Sequence, residues 1–194
     1  MNVAFPTYGI AQELARCLER SGVPYAIGGS IALAYAAEPR STKDVDINLF
    51  VPPESARLAL ETLKTAGLDI DVEDAMRVAA ERFDGIGYFR GVRVDLFFDS
   101  IPLHVMALAR RVRVDLLGTP VWVLSAEDLT VFKAMFNREK DWVDISAMVA
   151  DRGVGFDRAY VHDQIAAHLG DDDERLAHFR GVCRKLDESE PGSA

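Results

Sequence analysis

The stretch Arg40-Ser41-Thr42-Lys43-Asp44-Val45-Asp46-Ile47, preceded by the turn Gly28-Gly29-Ser30, decides the fold of this chain. Asp44 and Asp46 are two residues apart on a predicted strand that ends at Val51. Their carboxylates therefore point to the same face, and the apolar residues that alternate with them take the other face. Two like charges this close repel each other unless a cation lies between them or water screens them. The pair therefore indicates a cation site.

The turn Gly28-Gly29-Ser30 lies between a predicted strand, Tyr25–Ile27, and a short predicted helix, Ile31–Ala37. A turn that opens a helix offers backbone N–H groups and the serine hydroxyl to an anion, and phosphate oxygens bind well in such a place. Such a turn alone, or such an aspartate pair alone, is more often only structural. Together they predict metal-assisted phosphoryl or nucleotidyl transfer.

A third carboxylate, Asp95, interrupts the largely apolar run from Val92 to Phe98. A charge in a strand that otherwise has a buried pattern needs a partner or a metal. If this strand pairs beside the strand of Asp44 and Asp46, the three carboxylates form a site for two Mg²⁺ ions. In that arrangement the first two ligate Mg²⁺, and Asp95 ligates the second ion and helps to deprotonate an attacking hydroxyl.

The rest of the chain predicts an α/β core followed by helices. Arg90-Gly91 and Gly118-Thr119-Pro120 are hairpin signals between apolar runs. A helix is predicted to begin at Ala126, and the pattern stays helical from there, with breaks at two later glycines. The predicted organisation is an α/β (α+β) core with a mixed sheet over residues 1–125, and a helical region packed on it over residues 126–194.

Composition narrows the function classes. The 194 residues carry 22 Lys+Arg and 31 Asp+Glu, a net charge of −9. This excludes a uniformly basic nucleic-acid coat, because such proteins replace phosphate counterions with positive charge. The two cysteines have no metal or disulfide spacing and indicate reduced thiols. No apolar run approaches the ~20 residues of a membrane helix, and the first six residues lack signal-peptide features. We expect a cytoplasmic protein without membrane contact.

The combination of a Gly-Gly-Ser turn, a short helix, an Asp-x-Asp strand and a later strand with one aspartate resembles the polymerase-β-type nucleotidyltransferase superfamily. The C-terminal half carries a closer resemblance. Leu124–Leu129 leads to Lys133, and Arg138-Glu139-Lys140-Asp141-Trp142-Val143-Asp144-Ile145 follows. This looks like the AbiEii/AbiGii toxin family, and length and framework are similar to the MenT-type nucleotidyltransferase toxins of mycobacteria. The similarity covers residues 25–150.

The resemblance implies an Mg²⁺-dependent enzyme that transfers nucleotides from an NTP to an RNA acceptor and releases pyrophosphate. For MenT-like members the acceptor is the 3′ end of tRNA. Altering that end blocks aminoacylation and translation, and a cognate antitoxin protein restrains the enzyme.

The resemblance also assigns roles to residues. Lys133 would hold the triphosphate, and Asp141 or Asp144 would complete the later acidic motif. The two lie on one helical face, so the sequence does not choose between them. Phosphorylation of Thr42 would add about −2 charge beside Asp44 and block the triphosphate site. The catalytic candidates are Asp44, Asp46, Asp95, Lys133, Asp141 and Asp144; the nucleotide-binding candidates are Gly28, Gly29, Ser30, Arg40, Thr42, Lys43 and Lys133; the metal ligands are Asp44, Asp46 and Asp95.

Other interpretations compete with these roles. In one alternative, Lys133 is a surface lysine whose stem packs along apolar groups. In another, Asp141 and Asp144 are solvent-exposed charges on a helix. The acceptor class also has an alternative, a small hydroxylated molecule such as an aminoglycoside. A catalytically silent binding protein is a third possibility, against which the intact acids argue. An RNA substrate would need positive surface, and we predict one basic funnel from the residues near the motifs, namely Arg40, Lys43, Arg90, Arg93, Arg110, Arg111, Arg113, Lys133, Arg138 and Lys140.

Overall fold

A computed structural model describes residues 6–189. The predicted absence of a signal peptide rests largely on residues 1–5, which lie outside the described residues. The chain forms two compact units. The first, unit 1, comprises the residues up to Ala32 together with Pro39–Ser125, and the second, unit 2, comprises Leu33–Glu38 together with the residues from Ala126 onward.

Unit 1 carries a mixed sheet with helices. In chain order its elements are helix α1 (Pro6–Arg20), strand β1 (Tyr25–Ile27), helix α2 (Gly29–Leu33, whose last residue falls in unit 2), strand β2 (Asp44–Leu49), helix α3 (Arg57–Thr65), helix α4 (Val72–Arg82), strand β3 (Asp84–Phe89), strand β4 (Val92–Phe98), helix α5 (Pro102–Arg110), strand β5 (Val112–Leu116) and strand β6 (Thr119–Val123). The strand order is β3-β4-β2-β1-β6-β5. Strand β2 runs parallel to β4 and β1 runs parallel to β6, while the other neighbours are antiparallel. The predicted mixed α/β fold is confirmed.

Strands β2 and β4 are neighbours in the sheet, and they carry the three predicted carboxylates. On one face Val45, Ile47, Val94 and Leu96 are at most 1% exposed. Since side chains alternate along a strand, the residues between them face the other way and keep partial exposure. Burial of one face fixes the register, because a slip by one residue would expose every apolar side chain of the strand.

Two local predictions differ from the structure. The helix after the Gly-Gly-Ser turn ends at Leu33, since the backbone turns there and the N–H groups of Ala36 and Ala37 both donate to the Leu33 carbonyl. The second hairpin turns at Leu117-Gly118, with φ of 52° and 78°. Left-handed conformation at both central residues suits a two-residue hairpin, so the threonine and proline that follow belong to β6. Helices α4 and α5 lie in segments with no predicted element.

Unit 2 is helical in its longer part. Its helices are α6 (Ala126–Phe136), α7 (Glu139–Arg152), α8 (Arg158–Leu169) and α9 (Glu174–Ser189). Gly153 and Gly170, with φ of 50° and 98°, follow α7 and α8 directly, because a positive φ ends a helix at little cost only in glycine. The predicted helix start and both breaks are confirmed. Among residues 6–189 no helix is both long and apolar enough to cross a membrane.

Candidate active site

The structure brings the three predicted carboxylates of unit 1 to one face of the sheet. Asp46 lies directly opposite Asp95 in the parallel register of β2 and β4, and Asp44 lies opposite Arg93. Neighbouring strands are about 4.8 Å apart, so Asp46 and Asp95 form a close pair across the strand boundary. All three carboxylates are partly exposed. We call this arrangement of Asp44, Asp46 and Asp95 the acid row.

The open face continues from the acid row onto the edge strand β3. Ile86 lies opposite Asp95, and Tyr88 lies opposite Arg93. Their exposed fractions are 45% and 49%, although both are large apolar or aromatic residues. The acid row therefore has an exposed apolar flank on its β3 side.

The Gly-Gly-Ser turn packs against the other side of Asp46. Gly29 has φ of 53°, and a Cβ built on it would lie 1.8 Å from Asp46 Oδ2, so no side chain fits. The N–H of Gly28 donates to the Asp46 carbonyl at 2.9 Å, and Ser30 is buried. The close approach explains why the sequence needs glycine here. It fixes the turn beside the acid row.

The residues between turn and strand differ in their contacts. Thr42 Oγ1 donates a hydrogen bond to Asp44 Oδ1 at 2.6 Å, which orients that carboxylate. Arg40 and Lys43 have exposed side chains. Thr42 is therefore a predicted nucleotide-binding residue that contacts the acid row directly.

Arg93 holds the third carboxylate. Its Nη2 lies 2.6 Å and its Nε 2.9 Å from Asp95 Oδ1, and Nε lies 3.0 Å from Oδ2. Hydrogen bonding to Asp95 and the charge of that carboxylate raise the pKa of the guanidinium above its ordinary value. Sequence reasoning placed Arg93 in a general basic funnel and missed this pair. The signal was available, since residues two apart on a strand share a face.

The donor chemistry of the acid row suits the metal that the sequence predicted. Carboxylate oxygens are the ligands that Mg²⁺ prefers in proteins, and the three carboxylates share one open face. Among the described residues, however, no group of three or more His, Cys, Asp or Glu side chains is placed to hold a metal ion together. The Asp95 carboxylate faces Arg93 instead. The residue types fit Mg²⁺, and the third ligand is already engaged.

The other predicted site residues form a separate cluster in unit 2. Lys133 is 4% exposed, and its Nζ lies 3.3 Å from Asp141 Oδ1 and 2.6 Å from Asp144 Oδ2. Asp141 and Asp144 are themselves buried. The interpretations of Lys133 as a surface lysine and of the two aspartates as exposed charges are therefore wrong. The structure does not choose between the two aspartates, since both contact the lysine.

Arg138 completes this cluster from the start of α7. Its Nε lies 2.6 Å from Asp141 Oδ2, and its backbone N–H donates to the same oxygen at 3.3 Å. Burial raises the pKa of Asp141, but the hydrogen bonds from Arg138 and the charge of Lys133 outweigh it, so the pKa lies below its ordinary value. A buried charge is tolerated when it is paired and hydrogen-bonded in this way.

A further buried acid on α6 was missed by sequence reasoning. Asp128 is 0% exposed and accepts a hydrogen bond from the Tyr160 hydroxyl at 2.5 Å. The adjacent Glu127 accepts one from the backbone N–H of Asp157 at 3.3 Å. Both acids link α6 to the start of α8. No spacing rule connects residues 30 positions apart, so the sequence held no signal for these pairs.

The predicted basic funnel is not supported in unit 1. Arg90 pairs with Glu13 at 3.2 Å, Arg113 pairs with Glu19 at 2.5 Å, and Arg93 pairs with Asp95. The guanidinium groups of Arg111 and Arg113 also lie over the Trp122 ring. These arginines are neutralised by nearby carboxylates or packed on an aromatic ring, so they do not form one uncompensated positive surface.

Comparison with known proteins assigns the family. Residues 7–179 match the family described as nucleotidyl transferase of unknown function (DUF2204). The chain belongs to this nucleotidyltransferase family. Its resemblance to the nucleotidyltransferase superfamily is thereby confirmed. A comparison with curated protein sequences finds no match.

Solved structures show the same fold. The antibiotic-resistance factor ANT(2'')-Ia is similar with a TM-score of 0.56 and 13% identity, over 93% of this chain and 95% of that one. An antigenic nucleotidyltransferase-like protein from Paracoccidioides brasiliensis is similar with a TM-score of 0.51 and 15% identity, over 90% and 92% of the two chains. At identities this low, the similarity shows only that these proteins share the nucleotidyltransferase fold with this chain.

Proposed function

We propose that this nucleotidyltransferase uses Mg²⁺ and an NTP to transfer a nucleotide to the 3′ end of tRNA, as a toxin restrained by a cognate antitoxin. The observation that carries the transfer is the acid row, with Asp46 opposite Asp95 in register and Gly29 packed against Asp46. It joins a turn suited to phosphate with carboxylates suited to a divalent cation. The acceptor and the biological role rest on the resemblance carried by Lys133 and the Asp141–Asp144 motif.

The proposed reaction forms one bond and breaks one. The acceptor hydroxyl oxygen attacks the α-phosphorus of the NTP, the bond between the α-phosphorus and the bridging oxygen to the β-phosphate breaks, and pyrophosphate leaves. The hydroxyl proton passes to the Asp95 carboxylate, which lies beside Asp46 on the neighbouring strand. Gly29 and Ser30 hold phosphate oxygens with backbone N–H groups, since the N–H of Gly28 already donates to the Asp46 carbonyl, and Thr42 keeps Asp44 oriented. These residues contribute positioning, which supplies much of the rate enhancement in phosphoryl transfer.

In this proposal Asp44, Asp46 and Asp95 hold the divalent cations. When bound, Mg²⁺ neutralises the charge that develops on the transferred phosphate and lowers the pKa of the attacking hydroxyl.

The two sides of the acid row suggest separate places for the two substrates. The Gly-Gly-Ser turn lies on the side of Asp46 and would take the phosphates. Ile86 and Tyr88 lie on the β3 side, opposite Asp95 and Arg93, and half of each side chain is exposed. An aromatic surface next to the proton acceptor suits a base or sugar ring of the acceptor, since stacking of bases on aromatic side chains contributes about 1–3 kcal/mol per base.

Unit 2 enters the proposal through Lys133. The resemblance assigns this lysine to the triphosphate, and the contact of Lys133 with both Asp141 and Asp144 supports only the part of the proposal in which these three residues form one motif. We propose that residues 1–125 carry the acid row and that residues 126–194 carry this lysine cluster as parts of one enzyme. The proposed location remains the cytoplasm, where NTP and tRNA are available.

A second acceptor class has one observation in its favour. ANT(2'')-Ia, whose fold this chain shares over 93% of its length, is an antibiotic-resistance factor. Transfer of a nucleotide to a small hydroxylated molecule such as an aminoglycoside is therefore the alternative proposal, with the same acid row and a different acceptor.

Incubation of the protein with each labelled NTP, Mg²⁺ and either total tRNA or a panel of aminoglycosides separates the two. We expect label on tRNA, and we expect that Asp46→Asn removes it. Label on an aminoglycoside would favour the alternative. No label on any acceptor, with protein shown to be folded by circular dichroism, would reject transferase activity and leave a silent binding protein.

A further inference from the structure

The strand β4 carries a cation and an anion on the same face, directly beside the acid row. Arg93 makes three hydrogen-bond contacts with the carboxylate of Asp95, at 2.6, 2.9 and 3.0 Å. In the register of the sheet Arg93 also lies opposite Asp44, two residues along the strands from the pair of Asp46 and Asp95. A guanidinium group thus lies among the three carboxylates that the proposed function assigns to divalent cations.

The pair is weak enough to be exchanged. The side chain of Arg93 is 49% exposed and that of Asp95 is 17% exposed. Ion pairs that water reaches contribute little to stability, because water screens them and two side chains must be held in place. The ion pairs of Lys133 are buried and therefore harder to exchange, because breaking one of them leaves an unpaired charge in the interior.

We propose that Arg93 is a positioning residue that occupies Asp95 in place of a second cation while no nucleotide is bound. The acid row then takes up the cation that needs the Asp95 carboxylate only when Arg93 has left it. A triphosphate supplies the alternative partner for Arg93, because phosphate oxygens match the guanidinium fork as well as a carboxylate does. Binding of the NTP thereby frees the third ligand at the moment when it is needed.

This inference rests on the proposed function only in taking Asp44, Asp46 and Asp95 as ligands of divalent cations. The test measures binding of Mn²⁺ to the whole protein without any acceptor. The electron paramagnetic resonance signal of the free ion reports how much Mn²⁺ is bound. The variants are Arg93→Met, which removes the charge and keeps an unbranched side chain, and Arg93→Lys, which keeps the charge. Arg82→Met is the matched control, since Arg82 also pairs with an aspartate two residues on, Asp84, at 3.1 Å.

We expect Arg93→Met to bind a second Mn²⁺ about tenfold more tightly than the unchanged protein, because one positive charge next to the ligand is removed. Arg93→Lys should fall between the two, and Arg82→Met should behave as the unchanged protein. A non-hydrolysable NTP analogue, whose triphosphate itself ligates Mn²⁺, should raise the affinity for the second ion in both proteins, and by a larger factor in the unchanged protein than in Arg93→Met.

Equal Mn²⁺ binding by the unchanged protein and Arg93→Met, or an equal increase in Arg82→Met, would overturn the inference. The outcome is independent of the transfer assay. Tighter Mn²⁺ binding by Arg93→Met in a protein that labels no acceptor would keep this inference and reject the proposed function. Transfer to an acceptor with unchanged Mn²⁺ binding would do the reverse.

Discussion

Asp46 Oδ2 lies 1.8 Å from the position that a Cβ on Gly29 would occupy. The backbone of residue 29 and the carboxylate of residue 46 therefore fill the same space with no margin. We expect Gly29→Ala to displace Asp46 and to abolish nucleotide transfer. Gly118→Ala is the matched control, because Gly118 also has a positive φ, 78°, but nothing lies within 4 Å of its Cβ position.

Gly118→Ala should lower the free energy of unfolding by about 1–2 kcal/mol, the cost of a left-handed conformation in alanine, as measured by denaturant unfolding. Gly29→Ala should lower it by more, because its Cβ also collides with Asp46. The loss of transfer should be confined to Gly29→Ala. Full activity of Gly29→Ala would show that Asp46 has room to move and is not fixed by the turn.

Removing a carboxylate of the acid row should stop the chemistry and keep the fold. We expect Asp46→Asn and Asp95→Asn each to lower the rate of nucleotide transfer by at least about a hundredfold, because a neutral amide neither balances a divalent cation nor accepts the proton. Both residues are partly exposed, so the melting temperature should change little. Asp84→Asn, on the neighbouring strand β3, serves as the control. Comparable losses in all three variants would disconnect the acid row from the reaction.

Tyr88 tests the place of the acceptor. If the acceptor lies on the β3 side, Tyr88→Ala should raise the KM for the acceptor by about tenfold, the equivalent of one lost stacking contact, and leave the KM for the NTP unchanged. Leu58→Ala, at another exposed apolar residue, is the comparison. An effect of Tyr88→Ala on the KM for the NTP alone would assign the β3 side to the nucleotide.

Thr42 offers a test of control by phosphorylation. Its hydroxyl donates to Asp44 at 2.6 Å, so a phosphate there would place about −2 charge against a ligand carboxylate. We expect Thr42→Glu to lose nucleotide transfer and Thr42→Ser, which keeps the hydroxyl, to retain it. A fully active Thr42→Glu variant in the labelled-NTP assay would argue against inactivation at this residue.

The pH dependence of stability should report on Asp141. The pKa of this carboxyl is lowered in the folded protein from its ordinary value of 3.8. Its contribution is therefore fully present above that value and is lost as the pH falls through the lower folded pKa.

We expect Asp141→Asn to lower the free energy of unfolding by about 3 kcal/mol at neutral pH, because Lys133 loses a buried partner. The difference from the unchanged protein should shrink below pH 3.8, as followed by thermal unfolding across a pH series. Lys140→Met, at an exposed position of the same helix, should show no such convergence. A difference that stays constant down to low pH would mean that Asp141 is not the titrating group.

The acid row could be predicted from the sequence because its residues follow local rules. The alternation of acids with buried residues in β2 fixes which face the carboxylates take, and the same alternation fixes the face of Asp95 on its own strand. That β4 lies beside β2 was only a condition of the prediction, and the structure supplies it. The Arg90-Gly91 hairpin followed from a similarly local rule. The acid with which an arginine pairs is not determined by such local rules. Arg93 is long enough to reach several acids, so its pairing with Asp95 became visible only in the folded strand.

The lysine cluster shows a different limit. The resemblance marked Lys133, Asp141 and Asp144, but their burial could not be predicted. Helix α6 is buried on nearly every side from Ala126 to Lys133, and it carries charged residues within that buried stretch. Such a helix has no single polar face from which its exposed positions could be predicted. Only the arrangement of α7 and α8 around α6 shows that these charges are paired inside the unit.

The division of the chain has an evolutionary consequence. Residues 33–38 belong to unit 2, although unit 1 surrounds them in the sequence. The polypeptide passes from one unit to the other three times, and unit 2 is encoded in two separated segments. A recombination event near codon 125 would deliver the four helices without the short segment that completes them. An exchange between genes at a single breakpoint would therefore not transfer unit 2 whole.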